Sequence, residues 1–333
     1  MTRYLVTGGA GFIGSNFVHF WVQSHPEDRV VVLDLLTYAG NRENLRDVEG
    51  RCHFVQGDIG DLNFTEQLLR DEKIDIVVNF AAESHNSLAV VDPSLFFRTN
   101  VLGTQTLLEA VRRTGLARFH HISTCEVYGD LPLDSDDEFT EQSPYRPRTP
   151  YNASKAAADH AVRAYFETFG LPATISNCCN NYGPLQFPEK IIPLFTTLAL
   201  DDQSLPLYAS TANRREWVHV LDHCSAIESI INHGRAGETY NVGTGVEKSV
   251  MEIADIILDT LGKPQSLKKI VPDRPGHDRR YLLSSEKIAS QLSWSPRIDF
   301  DQGIRETIKW YQEHRAWWEP LREKALVAES KWE

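Results

Sequence analysis

The chain has 333 residues, which is enough for about two domains and for a large core without disulfides or metals. Hydrophobic residues make up 41% and charged residues 24% of the chain, a composition typical of soluble globular proteins. The formal net charge of −12 argues against nucleic acid or an anionic membrane as the main partner, although a local basic cluster could still bind a phosphorylated substrate. The longest apolar runs have only the length of strands, so we expect no membrane-spanning helix.

Cysteine and histidine usage indicates the compartment and argues against a metal site. The five cysteines form neither an even set for disulfides nor a Cys-x-x-Cys pair, and the twelve histidines show no metal-ligand spacing. The sequence enters a strand-like run directly after its first residues and leaves no room for a signal peptide. We therefore expect a cytoplasmic protein with reduced thiols and no metal.

Short β-rich runs alternate with helical patterns in the first half of the chain. This alternation is typical of the α/β class with a doubly wound, Rossmann-type parallel sheet. Predicted strands cover residues 3–7, 29–33, 53–56, 74–80, 119–123 and 173–176. Predicted helices cover residues 12–23, 61–71, 93–113 and 150–169.

The alternation breaks down after Asn177. Prolines mark several loops, and the strand-like runs become shorter. Helical patterns return near 222–233, 249–262 and 301–314. We predict a first domain over residues 1–183, with parts of 217–245 returning to it. Residues 184–333 are predicted to form a smaller α+β domain that binds the substrate.

A glycine-rich turn follows the first predicted strand and opens the first predicted helix. Gly8, Gly11 and Gly14 have a GxxGxxG spacing, which lets the backbone approach a pyrophosphate at a helix N-terminus. Asp34 ends the second strand about 20 residues beyond Gly14, where a carboxylate accepts both ribose hydroxyls and repels a 2′-phosphate. These features favour NAD over NADP. The other candidate cofactor-binding residues are Phe12, Ile13, Asp58, Ile59, Ala81 and Ala82.

The candidate catalytic set has five residues, four described here and Cys125, which lies between Thr124 and Glu126. Tyr151 and Lys155 lie four residues apart on a predicted helix and therefore share a face, which could also contact the cofactor. A tyrosine with an ordinary pKa near 10 is a poor base, but a neighbouring ammonium and the positive nicotinamide of NAD⁺ would lower that pKa. Thr124 and Glu126 follow the fifth strand, at the sheet edge where doubly wound folds bind ligands.

Motifs spread nearly end to end carry a family resemblance. The glycine turn at 7–14 and the Tyr-x-x-x-Lys at 151–155 are shared by a whole superfamily. The segments 180–184, 187–190 and 273–278 are more specific. With these motifs the chain resembles the extended short-chain dehydrogenases/reductases, and most closely the dTDP-glucose 4,6-dehydratase family.

The resemblance implies a redox-neutral cycle on a bound NAD. In this cycle Tyr151 deprotonates the sugar 4-hydroxyl as hydride leaves C4, and Glu126 removes the C5 proton. Water then leaves from C6, and the hydride returns to C6. The expected reaction converts dTDP- or UDP-glucose into its 4-keto-6-deoxy derivative.

The resemblance also implies which residues hold the sugar nucleotide. Arg215, Asn241 and Arg274 match positions that bind the diphosphate, and Pro206 and Tyr208 match the strand that binds the base. The remaining candidate substrate contacts are Ser84, His85, Asn86, Asn181, Lys190 and His277.

Two predicted helices bear on the oligomeric state. Those near 93–113 and 150–169 resemble the helices that pair two subunits in this family. We therefore expect a homodimer.

Two places beside the reacting end of the sugar depart from the family pattern. Cys125 stands where the dehydratases have the Asp that protonates the C6 hydroxyl, and residues 86–89 replace the usual Val-Asp-Arg-Ser. Three explanations stay open: the Cys125 thiol is itself the acid, the 4-keto intermediate takes another course, or Cys125 is an engineered substitution. The other courses are C5 epimerisation, release of a 5,6-ene and decarboxylation of a uronate. A function of a different class is that of a non-catalytic protein that binds NAD or a nucleotide.

Overall fold

The computed structural model describes residues 1–116, 118–273 and 276–325. Within these residues the strands, numbered along the chain, are β1 Arg3–Thr7, β2 Arg29–Asp34, β3 Cys52–Gln56, β4 Ile76–Asn79, β5 Arg118–Thr124, β6 Ala173–Cys178, β7 Asn180–Tyr182, β8 Leu205–Tyr208, β9 Arg214–His219, β10 Thr239–Val242, β11 Glu247–Ser249 and β12 Lys268–Val271. Seven of them form one parallel sheet in the order β10-β6-β5-β4-β1-β2-β3. The predicted doubly wound, Rossmann-type sheet is thus confirmed.

The helices of the same residues are numbered likewise. They are α1 Phe12–Ser24, α2 Leu62–Asp71, α3 Asn86–Val91, α4 Pro93–Phe96, α5 Thr104–Thr114, α6 Pro150–Phe169, α7 Ile191–Leu200, α8 Val220–His233, α9 Val250–Leu261, α10 Glu286–Leu292, α11 Phe300–Glu313 and α12 Arg315–Ala325. Short 3₁₀ turns cover Arg42–Val48, Cys125–Tyr128 and Gln265–Leu267, and Phe97–Gly103 is a π-helical segment. Among the described residues, no helix combines the length and the apolar character that crossing a membrane requires.

Helices cover both faces of the large sheet, because its strands are apolar on both sides. On one face α1 and α8 contribute Trp21 and Ile227 to a fully buried cluster with the strands. On the other face α2, α5 and α6 contribute Leu68, Leu108 and Val162 to a second cluster. With both faces covered by helices, a ligand is expected at the carboxyl edge of the sheet.

The second half of the chain builds a separate apolar core. Helices α7, α9 and α11 pack around β7, β8 and β9, with Phe195, Ile257 and Ile304 buried between them. Two small sheets belong to this part, with the strand orders β11-β9-β7 and β12-β8.

The last described helix returns to the first half of the chain. Trp317 of α12 packs in a small cluster with Tyr38 and Phe187. Its indole Nε1 donates a hydrogen bond to the side-chain oxygen of Asn44 at 2.9 Å. Residues far apart in sequence thus support the loop that contains Tyr38.

The predicted helix over 93–113 is divided into three pieces: α4, the π-helical segment and α5. Asn100, in the wider π turn, accepts a hydrogen bond from the backbone N–H of Glu83 at 2.8 Å. Its amide nitrogen donates to the Glu83 carbonyl oxygen at 3.0 Å and to the Ser154 hydroxyl at 2.8 Å. These contacts are made by segments distant in sequence, so a helical pattern alone does not reveal them.

Candidate active site

In the turn between β1 and α1 the backbone of the glycines packs directly against the backbone of neighbouring residues. Gly8 has a φ of +66°, and a Cβ at this position would lie 2.6 Å from the backbone nitrogen of Ala81. A Cβ on Gly14 would lie 2.3 Å from the Gly8 carbonyl oxygen. Only glycine therefore allows α1 to begin this close to the turn, which leaves the helix N-terminus available to an anion.

Gly14→Ala is expected to lower the free energy of unfolding by about 1–3 kcal/mol, because the new methyl group forces the backbone of the turn to shift. It should also weaken NAD binding, since the turn loses its shape. Urea denaturation and a fluorescence titration with NAD measure the two effects.

Gly11→Ala is the matched control for this prediction. Its Cβ would lie 3.3 Å from the same Gly8 oxygen, a distance that needs only a small adjustment. Equal losses of stability in Gly11→Ala and Gly14→Ala would contradict the steric argument.

Asp34 ends β2 with its carboxylate held by two backbone groups. Its Oδ2 accepts from the N–H of Ala10 at 2.9 Å and its Oδ1 from the N–H of Leu36 at 2.8 Å. Burial raises the pKa of this carboxyl, and the two hydrogen bonds oppose that shift. A Cβ on Gly40 would lie 2.7 Å from Oδ1, so the following loop closes tightly over the carboxylate.

A cavity of about 430 Å³ runs along the carboxyl edge of the large sheet. The candidate cofactor residues all line it, namely Gly8, Gly11, Phe12, Ile13, Gly14, Asp34, Asp58, Ile59, Ala81, Ala82, Tyr151 and Lys155. The candidate catalytic and substrate residues that also line it are Ser84, Asn86, Thr124, Glu126, Asn181 and Lys190. The fold thus brings three sequence-distant groups of side chains into one space.

Tyr151 lies near the start of α6, beside the end of β5. Thr149 caps this helix by accepting from the N–H of Asn152 at 3.2 Å, and proline occupies its first turn. Burial raises the pKa of the Tyr151 phenol well above 10, and the charge of Glu126 raises it further. A hydrogen bond with the Thr124 hydroxyl acts in the opposite direction.

Lys155 lies one turn further along α6 and is buried. Its Nζ donates to the Ile122 carbonyl oxygen at 2.7 Å and lies 3.4 Å from Nε2 of His121. Burial lowers the pKa of Lys155 to about 8, against the attraction of the buried carboxylate of Asp159. In the chain alone desolvation is the largest influence on the pKa of the Tyr151 phenol, and the lowering of that pKa by Lys155 together with the nicotinamide of NAD⁺ stays a prediction.

Glu126 and Cys125 lie side by side in the 3₁₀ turn after β5 but have different surroundings. Glu126 lines the cavity. Cys125 is 1% exposed and belongs to an apolar cluster with Tyr128 and Tyr281. Burial raises the pKa of its thiol well above 9, so the thiol is a weak acid, and Cys125 is not among the residues that line the cavity. Its placement therefore gives no support to the expected role of Cys125 as proton donor.

Two carboxyl residues of the cavity were missed as candidates, Glu189 within the family-like segment 187–190 and Glu83 directly before the candidate Ser84. Glu189 is buried, and its Oε1 accepts from the Tyr38 hydroxyl at 3.0 Å. Glu83 is also buried, and burial raises the pKa of its carboxyl. Two carboxyls from segments about a hundred residues apart thus border one cavity. The available signal was their place within or next to residues already chosen as candidates, because neither carboxyl has a sequence spacing that indicates a site.

The candidate substrate residues of the first half make specific contacts. Lys190 donates from Nζ to the Ser84 carbonyl oxygen at 2.7 Å and lies 3.1 Å from Oε1 of Glu189. His85 caps α3, and its Nε2 lies 3.7 Å from Oε2 of Glu189. Asn181 donates to the Cys179 carbonyl oxygen at 3.0 Å.

The candidate nucleotide residues of the second half lie outside the cavity lining. Arg215 is buried against the Tyr281 ring, 4.8 Å from its centroid, and donates to the Asp278 carbonyl oxygen at 2.7 Å. The rings of Tyr208 and His277 meet with centroids 5.3 Å apart. Pro206 and Tyr208 both belong to β8, which pairs with β12. Arg274 lies outside the described residues.

Asn241, predicted to bind the diphosphate, makes two side-chain hydrogen bonds within the chain. It is fully buried in β10, where its side-chain oxygen accepts from the Tyr128 hydroxyl at 2.8 Å. Its amide nitrogen donates to the Phe139 carbonyl oxygen at 3.1 Å. The amide thus joins β10 to the loop after β5, and its contact with the diphosphate stays a prediction.

Together, the parallel sheet, the glycine turn and the Tyr-x-x-x-Lys pair at one cavity define an extended short-chain dehydrogenase/reductase. Within that class the chain belongs to the GDP-mannose 4,6 dehydratase family, whose model matches residues 5–307. A protein of Mycobacterium tuberculosis named dTDP-glucose 4,6-dehydratase is 49% identical over 322 residues, which cover 96% of both chains.

Solved structures agree with this assignment. DesIV of Streptomyces venezuelae, a dTDP-glucose 4,6-dehydratase solved with NAD bound, is 49% identical with a TM-score of 0.93, over 96% of this chain and 100% of DesIV. The dTDP-glucose 4,6-dehydratase of Bacillus anthracis, in complex with NAD, is 43% identical with a TM-score of 0.90, over 96% of this chain and 100% of that one.

Proposed function

We propose that the chain is an NAD-dependent 4,6-dehydratase of a nucleoside-diphosphate hexose, with dTDP-glucose as the first candidate substrate. The convergence of Thr124, Glu126, Tyr151 and Lys155 on the cavity of the glycine turn carries this proposal. The names of its relatives, which match over nearly the whole chain, support the choice of substrate.

The cavity residues fit NAD. The N-terminus of α1 and the close-packed Gly8 and Gly14 suit a pyrophosphate, and the Asp34 carboxylate suits the ribose hydroxyls. When bound, NAD supplies the acceptor and later the donor of a hydride.

The chain's own residues handle the protons. Tyr151 takes the proton of the C4 hydroxyl, and Thr124 holds that hydroxyl. The resulting ketone at C4 makes the C5 hydrogen acidic, and Glu126 removes it as the general base. Lys155 holds the start of α6 against β5 through its hydrogen bond to the Ile122 carbonyl oxygen and supplies a positive charge to the cavity lining.

The burial of Cys125 favours a second candidate. If no acid protonates the C6 hydroxyl, the same C4 oxidation and C5 deprotonation lead to epimerisation at C5. Arg215, Tyr208, Pro206 and His277 remain proposed contacts of the nucleotide half.

Product analysis in deuterated water tests these alternatives. The chain is incubated with NAD and either dTDP-glucose or UDP-glucose, and products are analysed by mass spectrometry and NMR. Loss of one water with deuterium at C5 supports the dehydratase. Deuterium at C5 without loss of water favours an epimerase, and bound NAD without any change in the sugar indicates a non-catalytic binding protein.

We also propose a homodimer formed through the segment from α4 to α5 together with α6. Phe97 is 41% exposed and Leu102 is 60% exposed on that segment, and large apolar side chains at a surface favour a partner. The family resemblance of these helices supports the same face.

Phe97→Glu combined with Leu102→Glu is expected to raise the dimer dissociation constant roughly 30- to 700-fold, because two charges would be buried without partners. Sedimentation velocity over a range of concentrations measures this shift. Leu221→Glu is the control, since Leu221 is 42% exposed on α8. A wild-type protein of monomer mass would overturn the proposed dimer.

The remaining assignments are proposals of the same kind. We propose that residues 1–183, with parts of 217–245, form the NAD domain, and that residues 184–333 form the sugar-nucleotide domain. Cytoplasmic location is proposed because the five cysteines are free thiols.

A further inference from the structure

The first residue of α3 contacts Glu126, the proposed C5 base. Nδ2 of Asn86 lies 3.4 Å from Oε2 of Glu126, and both side chains line the cavity. This asparagine belongs to the segment 86–89, which departs from the family pattern.

The orientation of the Asn86 amide follows from its second partner. The Thr149 hydroxyl oxygen accepts from the N–H of Asn152 at 3.2 Å, so its hydrogen is available to donate. It donates to Oδ1 of Asn86 at 3.5 Å. With Oδ1 directed at Thr149, the NH₂ group of the same amide faces Glu126, and an ionised carboxylate only accepts hydrogen bonds.

Asn86 thereby links the two catalytic elements. Thr149 is the cap of α6, which carries Tyr151 and Lys155. Glu126 belongs to the 3₁₀ turn after β5. In the proposed reaction Tyr151 acts on C4 and Glu126 on the adjacent C5, so the relative position of the two groups decides the rate.

We propose that Asn86 is a positioning residue for Glu126, rather than the substrate contact expected from its sequence position. Its amide holds one carboxyl oxygen and thereby sets the direction of the other toward C5. It also favours the ionised carboxylate, which is the form that removes a proton. This inference rests on the proposed function.

Asn86→Leu and Asn86→Asp test the proposal in the full chain with NAD and dTDP-glucose. Leucine has nearly the same size without the amide, so kcat and the rate of C5 deuterium incorporation should fall about 10- to 100-fold, with KM within about twofold. Aspartate puts a second carboxylate beside Glu126, so the acidic limb of the pH–rate profile should move about one unit to higher pH. Asn63→Leu, the same substitution at an exposed position of α2, is the control and should keep the wild-type profile.

The possible results distinguish a wrong role for Asn86 from a wrong proposed function. Suppose that the wild-type enzyme turns over and that Asn86→Leu keeps kcat and C5 exchange within twofold of wild type. That result overturns the positioning role alone. A raised KM with unchanged kcat also overturns it, because that result assigns Asn86 to substrate binding. A folded wild-type enzyme that changes neither dTDP-glucose nor UDP-glucose overturns the proposed function, and with it the role of Asn86.

Discussion

Tyr151→Phe is expected to lower kcat roughly 10³-fold and to leave NAD affinity within about twofold. The substitution removes the phenol oxygen that receives the C4 hydroxyl proton and keeps the ring. That ring packs edge-on against Phe96, with centroids 6.3 Å apart, so the fold should be retained. Steady-state turnover of dTDP-glucose and an NAD titration measure the two quantities.

Tyr165→Phe is the control on the same helix. Its hydroxyl donates to Glu109 at 3.3 Å near the surface and takes no part in the cavity. Turnover by Tyr151→Phe at the wild-type rate would mean that another group receives the C4 proton.

Glu126→Gln should stop the reaction after oxidation at C4. The amide cannot remove a proton, so kcat should fall about 10²- to 10⁴-fold, and a 4-keto hexose should accumulate without deuterium at C5. Glutamine still offers an oxygen to the Asn86 amide, so local packing should be preserved. Quenched single-turnover samples in deuterated water, analysed by mass spectrometry, reveal the stalled intermediate.

Glu138→Gln, an exposed glutamate in the loop after the same turn, serves as the control. Deuterium at C5 in the Glu126→Gln product at the wild-type rate would assign the base to a different side chain. The neighbouring buried Cys125 is a poor substitute, because burial raises the pKa of its thiol.

The two substitutions differ in the step at which they act. Tyr151→Phe should leave the sugar unchanged, whereas Glu126→Gln should leave it oxidised at C4. Together the two variants establish which proton transfer comes first, which kcat values alone do not reveal.

Local patterns were sufficient to predict the sheet and its helices. All six predicted strands occur, with ends shifted by at most a few residues, because buried parallel strands appear as short apolar runs between helical patterns. The seventh strand, Thr239–Val242, was foreseen only as a return of the chain near 217–245. Its place beside β6 depends on pairing across more than sixty residues, which periodicity does not encode.

The cofactor part of the candidate site was predicted best, because its residues follow a characteristic spacing in the sequence. Gly8, Gly14 and Asp34 form a local strand–turn–helix unit, so their convergence could be read from their intervals. Cys125 shows the limit of matching positions, because a motif does not state whether a side chain lies at the cavity or in the core around it. Glu189 and Asn86 matter through contacts with segments distant in sequence, which only the folded chain reveals.

The packing of α12 against the loop of Tyr38 affects the order of events during synthesis. Tyr38 and Phe187 border the cavity, and Trp317 contacts both the cluster they form and Asn44, which lies 273 residues earlier. N-terminal segments generally fold first as a chain is made. This wall of the cavity, however, is completed only after α12 has left the ribosome and can pack. A nascent chain that has folded its sheet therefore still lacks a finished cofactor cavity, and tight retention of NAD should begin only once α12 has emerged and packed.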